Sequence, residues 1–286
     1  MEQLNLPGAD PKTKDYIIQE LDENDEPIEE PEFRGFQYSP EPKLSEFVGL
    51  FSDVFTKEEC QIIIDFFEEN ISRATPGFTS GGMNEKAKES IDLQLLPTPG
   101  ERAVSTGYTW AINPDRHIWI LETLRQRLLN ACGDYLENML FNLRQDNPDH
   151  SMLPNNPING AVHFSSFQIQ KYPKGSVGYP AIHTENDSIL FKNRLLAPII
   201  YLNDIKEGGE TEICLARMMV SPKAGGVLVI PTQPPWYHCG HPAPNEDKYI
   251  ITSWLEFIPD QEVLARQSGL IQNGPPPKVN EEKNDT

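Results

Sequence analysis

A mainly β fold, an antiparallel sandwich or barrel braced by helices, is what this 286-residue sequence predicts. Three observations carry that expectation. From residue 163 the chain breaks into short runs rich in β-branched and aromatic residues, at 163–172, 180–186, 195–202, 211–220, 226–231 and 248–258. Gly, Pro and Asn separate these runs, and no helical window lies between them. Upstream, two stretches carry apolar residues at helical spacing instead. The length suits a single full-sized core.

The first helix is announced by Thr56 and Glu59, a capping box in which each side chain satisfies the other's free backbone donor. Phe55 and Cys60 flank it as a hydrophobic staple, and Cys60, Ile63, Ile64 and Phe67 fall on one face. A second, longer helix is legible from about His117 to Leu140, where Ile118, Leu121, Leu124, Leu128, Cys132, Tyr135 and Met139 share a stripe. Such stripes are core-facing surfaces, and both helices are expected to brace the sheet. Between them, residues 74–102 are rich in Gly, Ser, Thr and Pro and predict a long loop of the kind that forms lids.

Composition sets the boundaries. Residues 1–45 hold twelve Asp/Glu against four Lys/Arg, with six prolines and few large apolar groups, so they read as an acidic disordered arm. Residues 265–286, with Pro275 to Pro277, read as a flexible tail. The folded domain is expected over 46–264, with its core at 163–258. The arm supplies −8 of the formal net charge of −19. A surface this acidic is repelled by phosphate backbones, which argues against a nucleic-acid partner. The start has no basic segment followed by an apolar one, and no window approaches the ~18 apolar residues of a membrane span. The four cysteines, Cys60, Cys132, Cys214 and Cys239, are scattered without a CxxC, as in a reducing compartment, and the expected location is cytoplasmic.

The candidate chemistry starts at His183-Thr184-Glu185. In a strand, alternation sends His183 and Glu185 to the same side, placing an imidazole beside a carboxylate. His238 follows just before the last strong strand. Two His and one carboxylate leave adjacent positions open on an octahedral Fe(II), as an oxygenase requires. An isolated H-x-E is also a common surface pair, so the surroundings matter. Lys248 heads the strand KYIITSWLEF and shares a face with Ile250, Thr252 and Trp254. If that face is inward, a buried cation needs an anionic partner, which a dicarboxylate co-substrate would supply. Tyr201 ends its strand on the face of Ala197 and Ile199, either as a second donor to that carboxylate or as a core tyrosine bonded elsewhere. Thr252 by itself is an ordinary β-branched strand former.

The ordered runs YPKGSVGYPAIHTEN, RLLAPIIYLNDIKEGGETEI, VSPKAGGVLVIP and WYHCGHPAPNEDKYIITSWLEF resemble the catalytic core of the prolyl 4-hydroxylase-like Fe(II)/2-oxoglutarate-dependent dioxygenases. The resemblance spans about 165–258 and extends weakly to the capped helix at 56–69. It implies a double-stranded β-helix, a distorted jelly roll with iron between its sheets. It implies that His183, Glu185 and His238 bind iron and that Lys248 pairs with the 5-carboxylate of 2-oxoglutarate. Tyr201 and Thr252 would support that end, and Tyr172 or Tyr179 would line the pocket. The implied cofactors are Fe(II), 2-oxoglutarate and O₂, with ascorbate as accessory reductant; the implied activity is hydroxylation with release of succinate and CO₂.

Two positions depart from the family pattern. Glu185 stands where the family usually has Asp, with Asp187 as the only nearby carboxylate to take its place. Pro198 lies inside a predicted strand, which should therefore be at an edge or bulged. His238-Cys239-Gly240-His241 invites a zinc reading, but no CxxC or HxxxH partner is in view, so His241 is expected at the surface and Cys239 as a buried neighbour. His117, His150 and His163 receive no role. The expected substrate is a residue of a peptide or protein; the alternatives are a free amino acid or small metabolite, or a catalytically silent jelly-roll binding module.

Overall fold

The computed structural model describes residues 34–35, 43–45, 47–79, 82–95, 114–146 and 162–258. In chain order the strands are β1 (Arg34–Gly35), β2 (Lys43–Ser45), β3 (Val48–Phe51), β4 (Thr75–Pro76), β5 (Ile91–Leu95), β6 (Val162–Tyr172), β7 (Tyr179–His183), β8 (Arg194–Tyr201), β9 (Thr211–Ile213), β10 (Met218–Val220), β11 (Val227–Pro231), β12 (His238–Gly240) and β13 (Lys248–Phe257). Two long helices are described, α1 (Lys57–Glu69) and α2 (Pro114–Asp146). The strands form a five-stranded sheet in the order β1-β10-β9-β12-β7 and an eight-stranded sheet in the order β2-β3-β11-β8-β13-β6-β5-β4. All pairings are antiparallel except β1 with β10. The two sheets make the distorted jelly roll expected for this sequence.

Strand alternation divides the larger sheet into two working faces. On β8 and β11, Ala197, Ile199, Leu228 and Ile230 join Ile213, Met218 and Val220 of the smaller sheet in an inter-sheet core. Their neighbours Leu196, Ile200, Val227 and Val229 point the other way, into a core with α1 and α2. Each helix buries the stripe its sequence encodes: Cys60, Ile63 and Phe67 on α1, and Leu121, Leu124, Leu128, Cys132 and Tyr135 on α2. The capping box is present in both directions, with Glu59 N–H donating to Thr56 Oγ1 at 3.1 Å and Thr56 N–H to Glu59 Oε2 at 2.9 Å. Among the described residues no helix is long and apolar enough to cross a membrane.

Several expectations need correction. The long loop at 74–102 contains β4 and β5, and β5 pairs along its whole length with β6. Ile91, Leu93 and Leu95 alternate with Asp92 and Gln94, a strand signal that the surrounding Gly, Ser and Pro obscured. Residues 34–35 and 43–45 form short strands inside the segment expected as a disordered arm. The rest of 1–45, residues 96–102, His150 and the tail 265–286 lie outside the described residues. The run 211–220 is a hairpin of β9 and β10 rather than one strand. Pro198 is not at an edge: β8 lies between β11 and β13. Its missing N–H is tolerated because the β8–β13 ladder lapses there, between Thr252↔Ile199 and Leu255↔Leu196, where β13 also slips against β6.

The joint between α1 and the sheets is a glycine. Gly225 has φ +83°, donates its N–H to Tyr201 O at 2.9 Å, and accepts from Phe55 N–H at 3.1 Å. A Cβ at this position would strike the Phe55 carbonyl directly before the helix cap. Gly225→Ala is expected to destabilise the fold by about 2 kcal/mol or more, read as a lowered denaturant midpoint at unchanged m-value.

Candidate active site

Two short strands of the smaller sheet hold the histidines. His183 ends β7, His238 begins β12, and the two are direct partners in the ladder, with ring centroids 4.3 Å apart. Each Nδ1 faces a backbone carbonyl two residues earlier, Ala181 O at 2.8 Å and Trp236 O at 3.2 Å. A carbonyl only accepts, so Nδ1 carries a proton in both rings, and each Nε2 is left to face Glu185, as a donor to it when the ring is charged and as a lone pair for a metal ion when the ring is neutral. Both Nε2 atoms approach Glu185 Oε1, at 3.6 Å from His183 and 3.4 Å from His238. The ligand atoms of these three residues all lie within 4.8 Å of one another. Tyr179 stacks on His183 with centroids 4.1 Å apart and fixes the ring from its other side.

Glu185 reaches this position by a route strand alternation does not describe. β7 ends at His183, so the expected strand to 186 is cut short and Glu185 lies in the turn beyond it. Its second oxygen is held firmly: Trp254 Nε1–H donates to Oε2 at 2.7 Å and Arg194 lies 3.4 Å away. Arg194 also donates to Glu185 O at 2.9 Å and to Glu256 Oε1 at 3.3 Å, with its guanidinium 3.9 Å from the ring centroids of both Phe191 and Trp254. Burial would raise the Glu185 carboxyl, but the flanking imidazoles outweigh it and hold the group well below the usual carboxylate range. Asp187 lines the same cavity, yet the cluster of mutually close ligand atoms is that of His183, Glu185 and His238.

The cavity between the sheets has a volume of about 310 Å³, and its wall includes all three residues together with Lys248, Tyr172 and Thr252. The face of β13 bearing Lys248, Ile250, Thr252 and Trp254 does point inward. Lys248 is 4% exposed. Its Nζ donates to Gly209 O at 2.6 Å and lies over the rings of Tyr172 and Tyr201, at 5.6 and 5.8 Å from their centroids. No carboxylate among the described residues lies within ion-pairing distance of it, and burial pushes its ammonium down to about 8, with Glu210 offsetting only part of the shift. Tyr172 donates its hydroxyl to Gln170 Oε1 at 2.8 Å, and Gln170 in turn donates to Thr252 Oγ1 at 3.2 Å. Tyr201 is wholly buried with its hydroxyl donated to Thr211 Oγ1 at 2.7 Å, the core-tyrosine alternative. It reaches Lys248 through its ring rather than its oxygen.

Sequence reasoning missed a set of polar residues in this wall. Gln168 and Gln170 alternate on β6 and Gln94 faces them from β5, so a period-2 row of amides was the available signal. Lys88 and Asp92 form a buried pair at 2.8 Å, with Ser90 donating to Asp92 at 2.7 Å, and Lys88 Nζ lies 5.4 Å from the Tyr179 ring centroid. Arg194 carried no signal at all, because its partners come from the turn after β7 and from β13. His163 is exposed, and His117 packs edge-on against Phe66, so neither joins the site.

Residues 167–256 match the family described as the 2OG-Fe(II) oxygenase superfamily. No curated protein sequence matches the chain. Among solved structures, a prolyl hydroxylase of Trichoplax adhaerens in complex with a hypoxia inducible factor oxygen degradation domain peptide fragment superposes with a TM-score of 0.52 at 12% identity, covering 78% of this chain and 87% of its own. A viral collagen prolyl hydroxylase from Paramecium Bursaria Chlorella virus-1 (TM-score 0.47, 14% identity, 74% and 97% coverage) is also similar. So is a prolyl-4-hydroxylase of Pseudomonas putida (0.47, 14%, 74% and 93%). The two sheets thus have the double-stranded β-helix fold of the Trichoplax adhaerens structure. The matched stretch, residues 167–256, is similar to the 2OG-Fe(II) oxygenases, an enzyme class that uses Fe(II), 2-oxoglutarate and O₂.

The residues fit those cofactors. Two imidazole lone pairs and one carboxylate oxygen converge at one end of the cavity, a donor set suited to Fe(II) with further positions open. A buried ammonium with no carboxylate partner among the described residues lies on the same inward wall and suits a dicarboxylate. Trp254→Phe keeps the ring but removes the donor to Glu185 Oε2; it is expected to weaken Fe(II) binding about tenfold or more, measured by anaerobic metal titration.

Proposed function

We propose that His183, Glu185 and His238 hold Fe(II), that Lys248 receives the distal carboxylate of 2-oxoglutarate, and that the enzyme hydroxylates a residue of a peptide or protein. When bound, Fe(II), 2-oxoglutarate and O₂ supply the oxidising chemistry that inserts oxygen into a C–H bond as 2-oxoglutarate becomes succinate and CO₂. The chain's own part is to hold and orient. The Nδ1 bonds to Ala181 and Trp236 keep both Nε2 atoms aimed at one point, and Trp254 leaves Glu185 one oxygen to offer. Tyr172 and Thr252, joined through Gln170, line the cavity on the Lys248 side, and the Tyr201 ring shields the ammonium from water. A cytoplasmic setting suits the four free cysteines.

The observation that carries the peptide reading is a second hollow that continues from the cavity. It shares Tyr179, His183 and Thr184 with it and runs along β7, the terminal strand of its sheet, past the exposed Ile182 to Pro234 and Tyr237. An extended chain laid there would pass directly over the paired histidines, with an apolar side chain for contact. The Trichoplax adhaerens structure of similar fold holds a peptide. The amides and cations of the cavity wall, Lys88 and Gln94 among them, favour a small polar metabolite as the second reading. Peptide pools and free amino acids, each assayed for stimulated succinate release, separate the two: release from peptides, with an added oxygen located by mass spectrometry, is expected, and release from metabolites alone would select the second.

The cofactor assignment has its own test. Fe(II) and 2-oxoglutarate added without oxygen are expected to give the weak visible charge-transfer band of a chelated keto acid, absent in His183→Ala and weakened in Lys248→Met. Burial holds the Lys248 pKa below its unfolded value, so the folded protein sheds this proton as pH rises through about 8, while the unfolded chain keeps it. Burial of the charge therefore costs stability below that pH, and the cost fades above it. Co-substrate binding needs the charged form, so 2-oxoglutarate affinity is expected to fall by up to about tenfold per unit above pH 8 in wild type and to lose this dependence in Lys248→Met.

A further inference from the structure

We propose that the outer face of the smaller sheet carries a second metal site, for a thiophilic divalent cation of the zinc type, built from Cys214, Cys239, His241 and Glu212. Thr211 and Ile213 of β9 point inward, one bonded to Tyr201 and the other in the inter-sheet core, which sends Glu212 to the outside. On β12, His238 points inward and Cys239 outward, directly opposite Glu212 in the ladder. Three of the donors meet there, and Cys214 lies beside one of them. His241 Nε2 lies 2.6 Å and Cys239 Sγ 3.7 Å from Glu212 Oε2, and the Cys214 thiol is within hydrogen-bonding reach of the Cys239 thiol. The ligand atoms of Glu212, Cys239 and His241 all lie within 4.8 Å of one another.

The chemistry of this set is specific. Two thiols, an imidazole and a carboxylate are the ligands of a four-coordinate zinc-type site; three of them, Glu212, Cys239 and His241, already lie within 4.8 Å of one another, and Cys214 stands beside Cys239 to supply the fourth. A hydrogen-bonded His–Glu pair explains two of the four residues; it gives no reason for a thiol to face the same carboxylate with a second thiol beside it. The sequence offered no CxxC or HxxxH because the partners come from two strands paired across the sheet, so the spacing signal is lost. Bound here, the ion would tie β9 to β12 immediately behind His238, while remaining on the opposite side of the sheet from the inward imidazoles.

Cobalt(II) titrated into the full-length protein, stripped of metal, kept reduced with a phosphine and free of oxygen, tests this directly. A thiolate-to-cobalt band in the near ultraviolet is expected, which imidazole and carboxylate ligands cannot produce. It should persist in His183→Ala, which disables the inner cluster, disappear in Cys239→Ser, and need at least about tenfold more cobalt in His241→Ala. His241 is partly exposed, so that variant remains decisive if Cys239→Ser does not fold. Absence of the band in wild type overturns the proposal, as does a band that neither variant changes, because its thiolate would then belong to another cysteine.

Discussion

The register between β7 and β12 is the constraint on which the rest of this structure depends. It sets His183 opposite His238. A slip of one residue would turn one imidazole to the outer face and leave Glu185 without its second partner. Both strands are short, five and three residues, so their own ladder bonds cannot enforce the pairing alone. Enforcement comes from β9, which pairs with the other side of β12 and brings Ile213 into the inter-sheet core. The larger sheet supplies the fixed surface beneath, because α1 and α2 bury its opposite face. The helices thus take part in catalysis only by making one wall of the cavity rigid.

That wall solves an electrostatic problem. A carboxylate and an ammonium are both taken out of water on the inward side of the sheets, and neither neutralises the other. Glu185 is compensated by two imidazoles, an indole N–H and a guanidinium. Lys248 has a backbone carbonyl and two aromatic faces, which soften its burial without cancelling it. The fold therefore carries a destabilising group whose natural relief is an incoming anion, and in the proposed assignment stability is exchanged for co-substrate affinity.

Much of this was legible in the sequence. The helices were readable because Thr56 with Glu59 and the apolar stripe of α2 are local signals, and local signals survive without knowledge of the fold. The inward face of β13 was readable because alternation needs only one strand. Legibility failed where meaning depends on pairing across the sheets. β5 has the alternation of a strand, but only its partner β6 makes it one. Arg194 and Trp254 are connected through Glu185, which no spacing encodes. Tyr201 left two outcomes open, and the choice rested on Thr211, ten residues away on another sheet. Pro198 was judged by a rule for ideal ladders, while β13 supplies an irregular one at that position.

Glu185 shows how such a departure can be accommodated. An extra methylene gives a carboxylate reach and also freedom, and freedom would blur the position of the oxygen that faces the histidines. Ending β7 at His183 lets the backbone turn so that the longer side chain still points inward. Arg194 then clamps the turn through Glu185 O, and Asn186 Nδ2 donates to Lys192 O and Arg194 O at 3.3 and 3.4 Å. Trp254 fixes the remaining torsion by binding Oε2, which leaves Oε1 as the oxygen presented to the imidazoles. The longer acid is thus one part of a unit that includes the turn after β7, the guanidinium and the indole. Exchanging it alone for Asp would shorten the reach while leaving the turn, Arg194 and Trp254 arranged for Glu.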